Sequence, residues 1–272
     1  MFDVKNPKFH EFVGEDARVE KVAGGFTFTE GPVTSRLGFT LFSDIPANRI
    51  MKFERGAVSV FRENSNGANG LTFDHQGRLL VCEKDRVTRT EKDGKITVLA
   101  ATFGGKPLTA PNDVVYSIDG SIYFTDLRGP GVYQITRKGE VRLAAADCQR
   151  PNGVALAPNQ RKLYIADSGQ RNVHVYEIEA GGELKNGKVL LELKGDKPGV
   201  PDGMKTDEAG NLWVTGPGGV WVIDATGQHL GTILTPEVAA NCGWAEGFRG
   251  LYITARTSLY KIATKVSGTR TY

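Results

Sequence analysis

The sequence lacks the features that would place it in a membrane or on nucleic acid. Its apolar runs are far shorter than the roughly 18–20 residues of a membrane helix. Lys and Arg are spread along all 272 residues, the net charge is only +3, and no block of like charges occurs. Both membrane and nucleic-acid partners are therefore disfavoured. No apolar targeting segment follows Met1, so the cytoplasm is the expected compartment.

Cysteine is scarce, and familiar catalytic motifs are missing. The three cysteines, Cys82, Cys148 and Cys242, are isolated and lack CxxC spacing. A disulfide framework or a zinc knuckle is thus disfavoured, and buried free thiols are expected. There is no GxSxG sequence for a serine nucleophile, and no glycine-rich loop in a strand-to-helix setting for a dinucleotide.

Helical periodicity is also nearly absent. No 12-residue stretch keeps an apolar i, i+3, i+4, i+7 pattern, and the best helix candidate is the short segment Thr235–Cys242. What the chain does have is 34 glycines, spread evenly and often beside Asp or Asn. This distribution predicts many short strands joined by tight turns.

One pattern recurs six times along the chain. A polar residue precedes a short apolar run, a polar turn and a second apolar run. The copies start 39 to 50 residues apart, at Glu30, Asn69, Asn112, Asn152, Asp202 and Asn241. A period near 40 residues with about four strands per unit is typical of propeller blades.

The repeat therefore predicts an all-β fold, a six-bladed β-propeller formed as a single domain by residues 1–272. A seven-bladed ring and a β-sandwich are the alternatives, but a sandwich would not give so regular a phase. Because a ring with free sheet edges would be open to strand addition, we expect a strand at about residues 17–23 to close it with the C-terminal blade.

The six polar starts predict a metal site on the propeller axis. By the symmetry of the repeat they occupy equivalent places, so two carboxylates and four carboxamides would meet at one end of the channel. Four of the six precede glycine, which is also typical of simple turns, but turn chemistry does not explain Glu30. An all-oxygen ligand set suits one divalent ion, with Ca²⁺ favoured and Mg²⁺, Mn²⁺ or Zn²⁺ as alternatives.

The ordered motifs of the chain resemble those of a known family. They are FTEGPV (28–33), FSDIPANRI (42–50), PNDVVYSIDGSIYFTD (111–126), RPNGVALAPNQRKLYIADS (150–168) and VPDGMKTDEAGNLWV (200–214). Together they resemble the gluconolactonase, senescence-marker-protein and luciferin-regenerating-enzyme superfamily, in its bacterial type, over about residues 15–264. The resemblance implies a six-bladed propeller with one metal ion.

The resemblance also implies roles for individual residues. Metal ligands carry over onto Glu30, Asn152 and Asp202. Asn112 and Asp113 are expected to bind substrate, and Asn69 is grouped with them although the family offers it no catalytic counterpart. Asn241 is expected to line the channel. Animal members have a basic residue two positions before the equivalent of Asn112, where this chain has Ala110.

The function implied is hydrolysis of small cyclic esters, with sugar lactones such as gluconolactone as the expected class. The metal would polarise the carbonyl, and Asp202 would be the catalytic general base toward the attacking water. The expected partner is a small-molecule substrate, and the expected state is a monomer or a small homo-oligomer. The alternatives are another hydrolysis at the same site, of an organophosphate or a different cyclic compound, and a non-enzymatic binding propeller.

Overall fold

The apolar runs of the repeat form four-stranded antiparallel sheets in the computed structural model, which describes residues 1–129 and 131–270. The N-terminal segment contributes β1 (Phe2–Val4), the short helix α1 (Phe9–Phe12) and β2 (Glu20–Gly24). The first blade consists of β3 (Thr29–Thr34), β4 (Thr40–Asp44), β5 (Arg49–Glu54) and β6 (Ala57–Glu63). The second consists of β7 (Leu71–Phe73), β8 (Leu79–Glu83), β9 (Arg86–Thr90) and β10 (Ile96–Ala100), followed by the hairpin β11 (Thr102–Phe103) and β12 (Lys106–Pro107).

The remaining four blades repeat this order. The third has β13 (Pro111–Tyr116), β14 (Ile122–Asp126), β15 (Val132–Ile135) and β16 (Val141–Ala145), and the fourth has β17 (Pro151–Leu156), β18 (Lys162–Asp167), β19 (Asn172–Ile178) and β20 (Leu184–Glu192). The fifth has β21 (Met204–Thr206), β22 (Leu212–Gly216), β23 (Gly219–Ile223) and β24 (His229–Leu234), and the sixth has β25 (Ala239–Trp244), β26 (Gly250–Ala255) and β27 (Ser258–Ala263). The prediction of an all-β, six-bladed propeller is confirmed.

The sixth blade takes its outer strand from the other end of the chain. β2 pairs antiparallel with β27, with Glu20 opposite Lys261 and Gly24 opposite Ser258. β1 adds a fifth strand to the outer edge of the fifth blade by pairing with β24. These pairings join the first and last thirds of the sequence and give partners to sheet edges that would otherwise be exposed.

Bulges interrupt the inner strands close to the polar repeat starts. The ladder between β13 and β14 shifts register between Pro111 and Val114, and that between β17 and β18 shifts between Pro151 and Val154. Comparable shifts occur in β3 and β25. A bulge leaves a residue out of the ladder and re-aims its neighbours. The side chains of the polar starts therefore do not have to alternate between the two faces of the sheet as in a regular strand.

Helix is confined, within the described ranges, to α1 and a 3-10 turn at Glu246–Phe248. The best helix candidate of the sequence, Thr235–Cys242, was wrong: its second half belongs to β25, which pairs with β26. Tertiary pairing overrides the weak local preference of that short segment. No helix in the described part of the chain is long and apolar enough to cross a membrane.

Hydroxyl groups on the second strands join neighbouring blades near the polar starts. Thr125 is fully buried; its Oγ1 accepts a hydrogen bond from Asp113 N (3.0 Å) and donates one to Asn152 O (2.5 Å). It therefore links the third blade to the fourth. Ser43 makes the equivalent bond from the first blade to Asn69 O in the second, at 2.6 Å.

We expect Thr125→Val to lower the free energy of unfolding by about 1–2 kcal/mol. The new side chain has the same shape, but Asp113 N and Asn152 O lose a buried partner. Chemical denaturation checks this, with Thr102→Val on the exposed hairpin strand β11 as the matched control. The control should stay within about 0.5 kcal/mol of the wild type. Equal effects of the two substitutions would show that the inter-blade bond is unimportant.

Candidate active site

The polar repeat starts come together through hydrogen bonds that cross from blade to blade. Asn69 Nδ2 donates to Asn112 Oδ1 at 2.6 Å, and Asn112 Nδ2 donates to Asn152 Oδ1 at 2.5 Å. Asn152 Nδ2 in turn donates to Ser168 Oγ at 2.8 Å. An amide oxygen has two lone pairs, so Asn152 Oδ1 can accept its bond and still face a cation.

On the other side of the channel, Asn241 supports the carboxylate of Glu30. Asn241 Nδ2 donates to Glu30 Oε2 at 2.9 Å, and Gly31 N donates to the same oxygen at 2.8 Å. Glu30 is only 4% exposed. Burial raises the pKa of Glu30 to about 7, opposed by the bond from Asn241 and reinforced by the charge of Asp113. A carboxylate in this position lacks a positive partner strong enough to offset its desolvation.

Asp202 lies at the start of the fifth blade and belongs to the same electrostatic group. Burial, then the negative charges of Glu30 and Asp113, raise the pKa of Asp202 well above its ordinary value. Arg150 opposes this rise. The effect of the Glu30 charge on the pKa of Asp202 indicates that the two acids lie near each other, although they are 172 positions apart in the sequence.

Asp113 occupies a different place from its neighbour Asn112. It is only 3% exposed, and its carboxylate accepts hydrogen bonds from Val114 N at 3.0 Å and Val154 N at 3.3 Å. Burial raises its pKa, and Lys205 lowers it. Its oxygens are thus engaged with backbone of the third and fourth blades. The expected contact of Asp113 with a substrate stays a prediction.

The donors fit a hard divalent cation. Three buried or half-buried carboxylates, Glu30, Asp113 and Asp202, leave an excess of negative charge over Lys205 when all are ionised. Asn69 Oδ1 is buried and has no hydrogen-bond partner within residues 1–129 and 131–270. Oxygen donors with surplus negative charge and an unused amide oxygen are what Ca²⁺ or Mg²⁺ requires. Glu30, Asn152 and Asp202 are the residues that would hold such an ion.

Glycines beside the polar starts let the blades approach one another. A Cβ on Gly153 would lie 2.1 Å from Asp202 O, and one on Gly70 would lie 2.6 Å from Asn112 O. Neither glycine has a positive φ, so the requirement is close approach rather than a turn. The pairs Asn69-Gly70 and Asn152-Gly153 therefore allow the inner strands of neighbouring blades to pack closely, which a simple turn would not require.

The opposite end of the channel is crossed by the C-terminal segment. Thr269 N donates to Thr206 O at 3.0 Å, and Trp244 Nε1 donates to the same oxygen at 2.8 Å. Thr206 ends the inner strand that follows Asp202, so this contact lies at the far end from the acids. A substrate would therefore reach the acids from the side of the polar starts.

Sequence reasoning had not singled out Ser168 or Arg150. Ser168 Oγ accepts the bond from Asn152 and donates to Pro201 O at 2.6 Å, which ties the fourth blade to the segment before Asp202. Arg150 is exposed and acts electrostatically on Asp202. It stands two positions before Asn152, as Ala110 stands two before Asn112, so comparison of the repeats could have drawn attention to it.

Comparisons with known proteins place the chain among lactonases and their relatives in sequence. A family model described as "SMP-30/Gluconolactonase/LRE-like region" matches residues 28–257. A gluconolactonase of Zymomonas mobilis is 29% identical over 97% of this chain and 86% of its own length. Pentonolactonase XacC of Haloferax volcanii is 26% identical, over 78% of this chain and 75% of its own.

Solved structures show the same architecture. XC5397 of Xanthomonas campestris, described as a gluconolactonase, superposes with a TM-score of 0.88 at 29% identity, covering 97% of this chain and 94% of that one. A luciferin-regenerating enzyme superposes with a TM-score of 0.80 at 20% identity, over 93% and 99% of the two chains. The second likeness is one of fold.

Proposed function

Because the chain belongs to the SMP-30/gluconolactonase/LRE-like family, we propose that it is a metal-dependent hydrolase that opens small lactones. The observation that carries the proposal is the convergence of Glu30 and Asp202 with the amide side chains at the accessible end of the channel. The names of the bacterial and archaeal relatives support lactone hydrolysis. They favour sugar lactones, of the gluconolactone kind, as the substrate class.

In this proposal Glu30, Asn152 and Asp202 hold one divalent ion, with Ca²⁺ favoured by the oxygen donors. When bound, the ion supplies Lewis-acid polarisation of the lactone carbonyl. Asn241 and Gly31 N keep the Glu30 carboxylate oriented toward the site through their bonds to Oε2. Asn69 and Asn112 form the polar wall on which the ring oxygen and hydroxyl groups of a sugar lactone can form hydrogen bonds.

In this proposal Asp202 is the general base. A carboxylate oxygen of Asp202 would accept the proton of the attacking water and later release it toward the departing alkoxide. Without the ion, burial and the charge of Glu30 raise the pKa of Asp202. A bound cation lowers the pKa of a carboxylate that ligates it, so the Asp202 oxygen that accepts the proton has to be one that is free of the ion. The guanidinium of Arg150 lies close enough to oppose the rise.

The test is a lactone panel assayed with protein stripped by chelator and reloaded with Ca²⁺, Mg²⁺, Mn²⁺ or Zn²⁺. Proton release, followed by pH-stat, should be absent without metal and return with one or more ions. Hydrolysis of organophosphates but not of lactones would assign a different substrate to the same site. Binding without turnover of any substrate would overturn the proposal in favour of a non-enzymatic propeller.

A further inference from the structure

A second cluster of metal-ligating side chains lies in the fourth blade. Cys148 is in the loop before β17, Asp167 ends β18, and His174 is on β19. All three are buried, and one donor atom from each lies within 4.8 Å of the other two. These are a thiol, a carboxylate and an imidazole, whereas the axial site offers carboxylates and amides.

The aspartate of this cluster accepts backbone hydrogen bonds that recur in two other blades. Asp167 accepts hydrogen bonds from Gln149 N (2.6 Å) and Arg150 N (3.0 Å) in the loop that precedes the inner strand. Asp44 and Asp126 accept the equivalent bonds in the first and third blades. The aspartate alone is therefore no indication of a metal.

The two residues beside the aspartate are what distinguish the fourth blade. Register and hydrogen bonds align Cys148 with Phe26 and Leu108, and His174 with Met51 and Tyr133. In the first and third blades this niche is filled by hydrophobic packing, since those four residues belong to or pack against apolar clusters. In the fourth blade both positions hold residue types that bind metals.

The imidazole in this niche is incompletely paired. His174 is 5% exposed, and its Nδ1 has no hydrogen-bond partner in the described part of the chain. Its Nε2 lies 3.2 Å from Gln170 Oε1. A buried ring nitrogen without a partner is unusual in a folded protein, and a metal ion would satisfy it. Asp167 Oδ2 accepts one bond, from Gln149 N, so this carboxylate oxygen keeps further acceptor capacity.

We propose that Cys148, Asp167 and His174 bind a Zn²⁺ ion at a site independent of the axial one. Zinc accepts sulfur, nitrogen and oxygen donors in four-coordinate geometry, so three side chains leave one place for water. On coordination the thiol proton of Cys148 passes to solvent and the thiolate sulfur bonds to the ion. Calcium and magnesium would not select a thiolate, so the two sites differ in the metals they prefer.

The consequence of this site is control of the loop that leads to the axial ligands. Cys148 stands two residues before Arg150 and four before Asn152. An ion joining it to β18 and β19 would fix the loop to the body of the blade. The loop also carries Asp147, whose carboxylate forms a hydrogen bond with the Tyr176 hydroxyl.

The experiment loads chelator-stripped, full-length protein with Co²⁺, whose thiolate complexes give an intense near-ultraviolet charge-transfer absorption. The wild type should show this band, and one equivalent of Zn²⁺ should remove it. Cys148→Ser should abolish the band, whereas Cys82→Ala, at another buried thiol, should retain it. Glu30→Gln should also retain the band, so that the result does not depend on whether the axial site binds a metal.

A second variant distinguishes loss of the metal ligands from loss of the fold. The double substitution C148L/H174Y copies the side chains of the third blade and should fold, as judged by circular dichroism, while showing no charge-transfer band. Cobalt bound by the wild type without a thiolate band would overturn the proposal. So would a band that persists in Cys148→Ser or in the double variant.

Discussion

Replacing Asp202 with asparagine is expected to lower lactone turnover by at least about 10²–10⁴-fold, the range usual for loss of a general base. The substitution keeps the shape of the side chain and one oxygen donor but removes the group that accepts the proton of water. The loss should persist at saturating metal, because added ion restores occupancy but not the base. Initial rates at saturating substrate and metal measure it.

Asn112→Ala is the matched comparison. Asn112 donates to Asn152 Oδ1 and accepts from Asn69, and it has no proton to exchange at neutral pH. Its removal should therefore raise KM as well as lower kcat, whereas Asp202→Asn should act chiefly on kcat. Substantial turnover by metal-saturated Asp202→Asn would remove the base assignment and leave Asp202 as a ligand only. The reaction class would be unaffected by that outcome.

The propeller could be predicted from sequence because its information is repeated six times. The polar start, apolar run, turn and second run recur in phase, so an error in one copy is corrected by the others. Thr235–Cys242 shows the converse. There, a short segment was considered by itself, and its pairing with β26 decided the outcome. Long-range pairing is not visible in a local pattern.

The candidate site was predicted in part for the same reason. Symmetry places Asn112 and Asn152 in contact, and the structure has that hydrogen bond. Asp113 was grouped with Asn112 through the resemblance to the family, and the sequence could not show that its carboxylate accepts hydrogen bonds from Val114 N and Val154 N.

The cluster in the fourth blade was not predicted from the sequence. Cys148, Asp167 and His174 lie in a loop and two strands, and only the register of β18 on β19 brings them together. Considered alone, Cys148 looked like an ordinary buried thiol, and it is indeed buried and free. Aligning the first, third and fourth blades on their shared aspartate would have revealed cysteine and histidine at positions that are apolar or aromatic in the other two blades.

Glu30→Gln is expected to remove the pH dependence that Glu30 gives to the stability of the metal-free protein. Burial raises the pKa of Glu30 from 4.5 to about 7, so between these values the folded state binds more protons than the unfolded state. Stability from this group is full below pH 4.5 and falls as the pH rises through 7. A shift of this size corresponds to about 3 kcal/mol. At pH 8 the metal-free variant should exceed the metal-free wild type in unfolding free energy by about this amount.

Addition of the ion should then raise the unfolding free energy of the wild type more than that of the variant. The wild type should gain about 2.7 kcal/mol at an ion concentration of 100 Kd, because only its folded state presents the assembled carboxylates. Glu30→Gln should gain much less, since it lacks one of the proposed ligands. Denaturation at pH 5 and pH 8, with chelator and with Ca²⁺, gives both comparisons on one pair of proteins. Parallel pH profiles without metal would show that Glu30 ionises normally, and equal gains with Ca²⁺ would place the stabilising ion elsewhere.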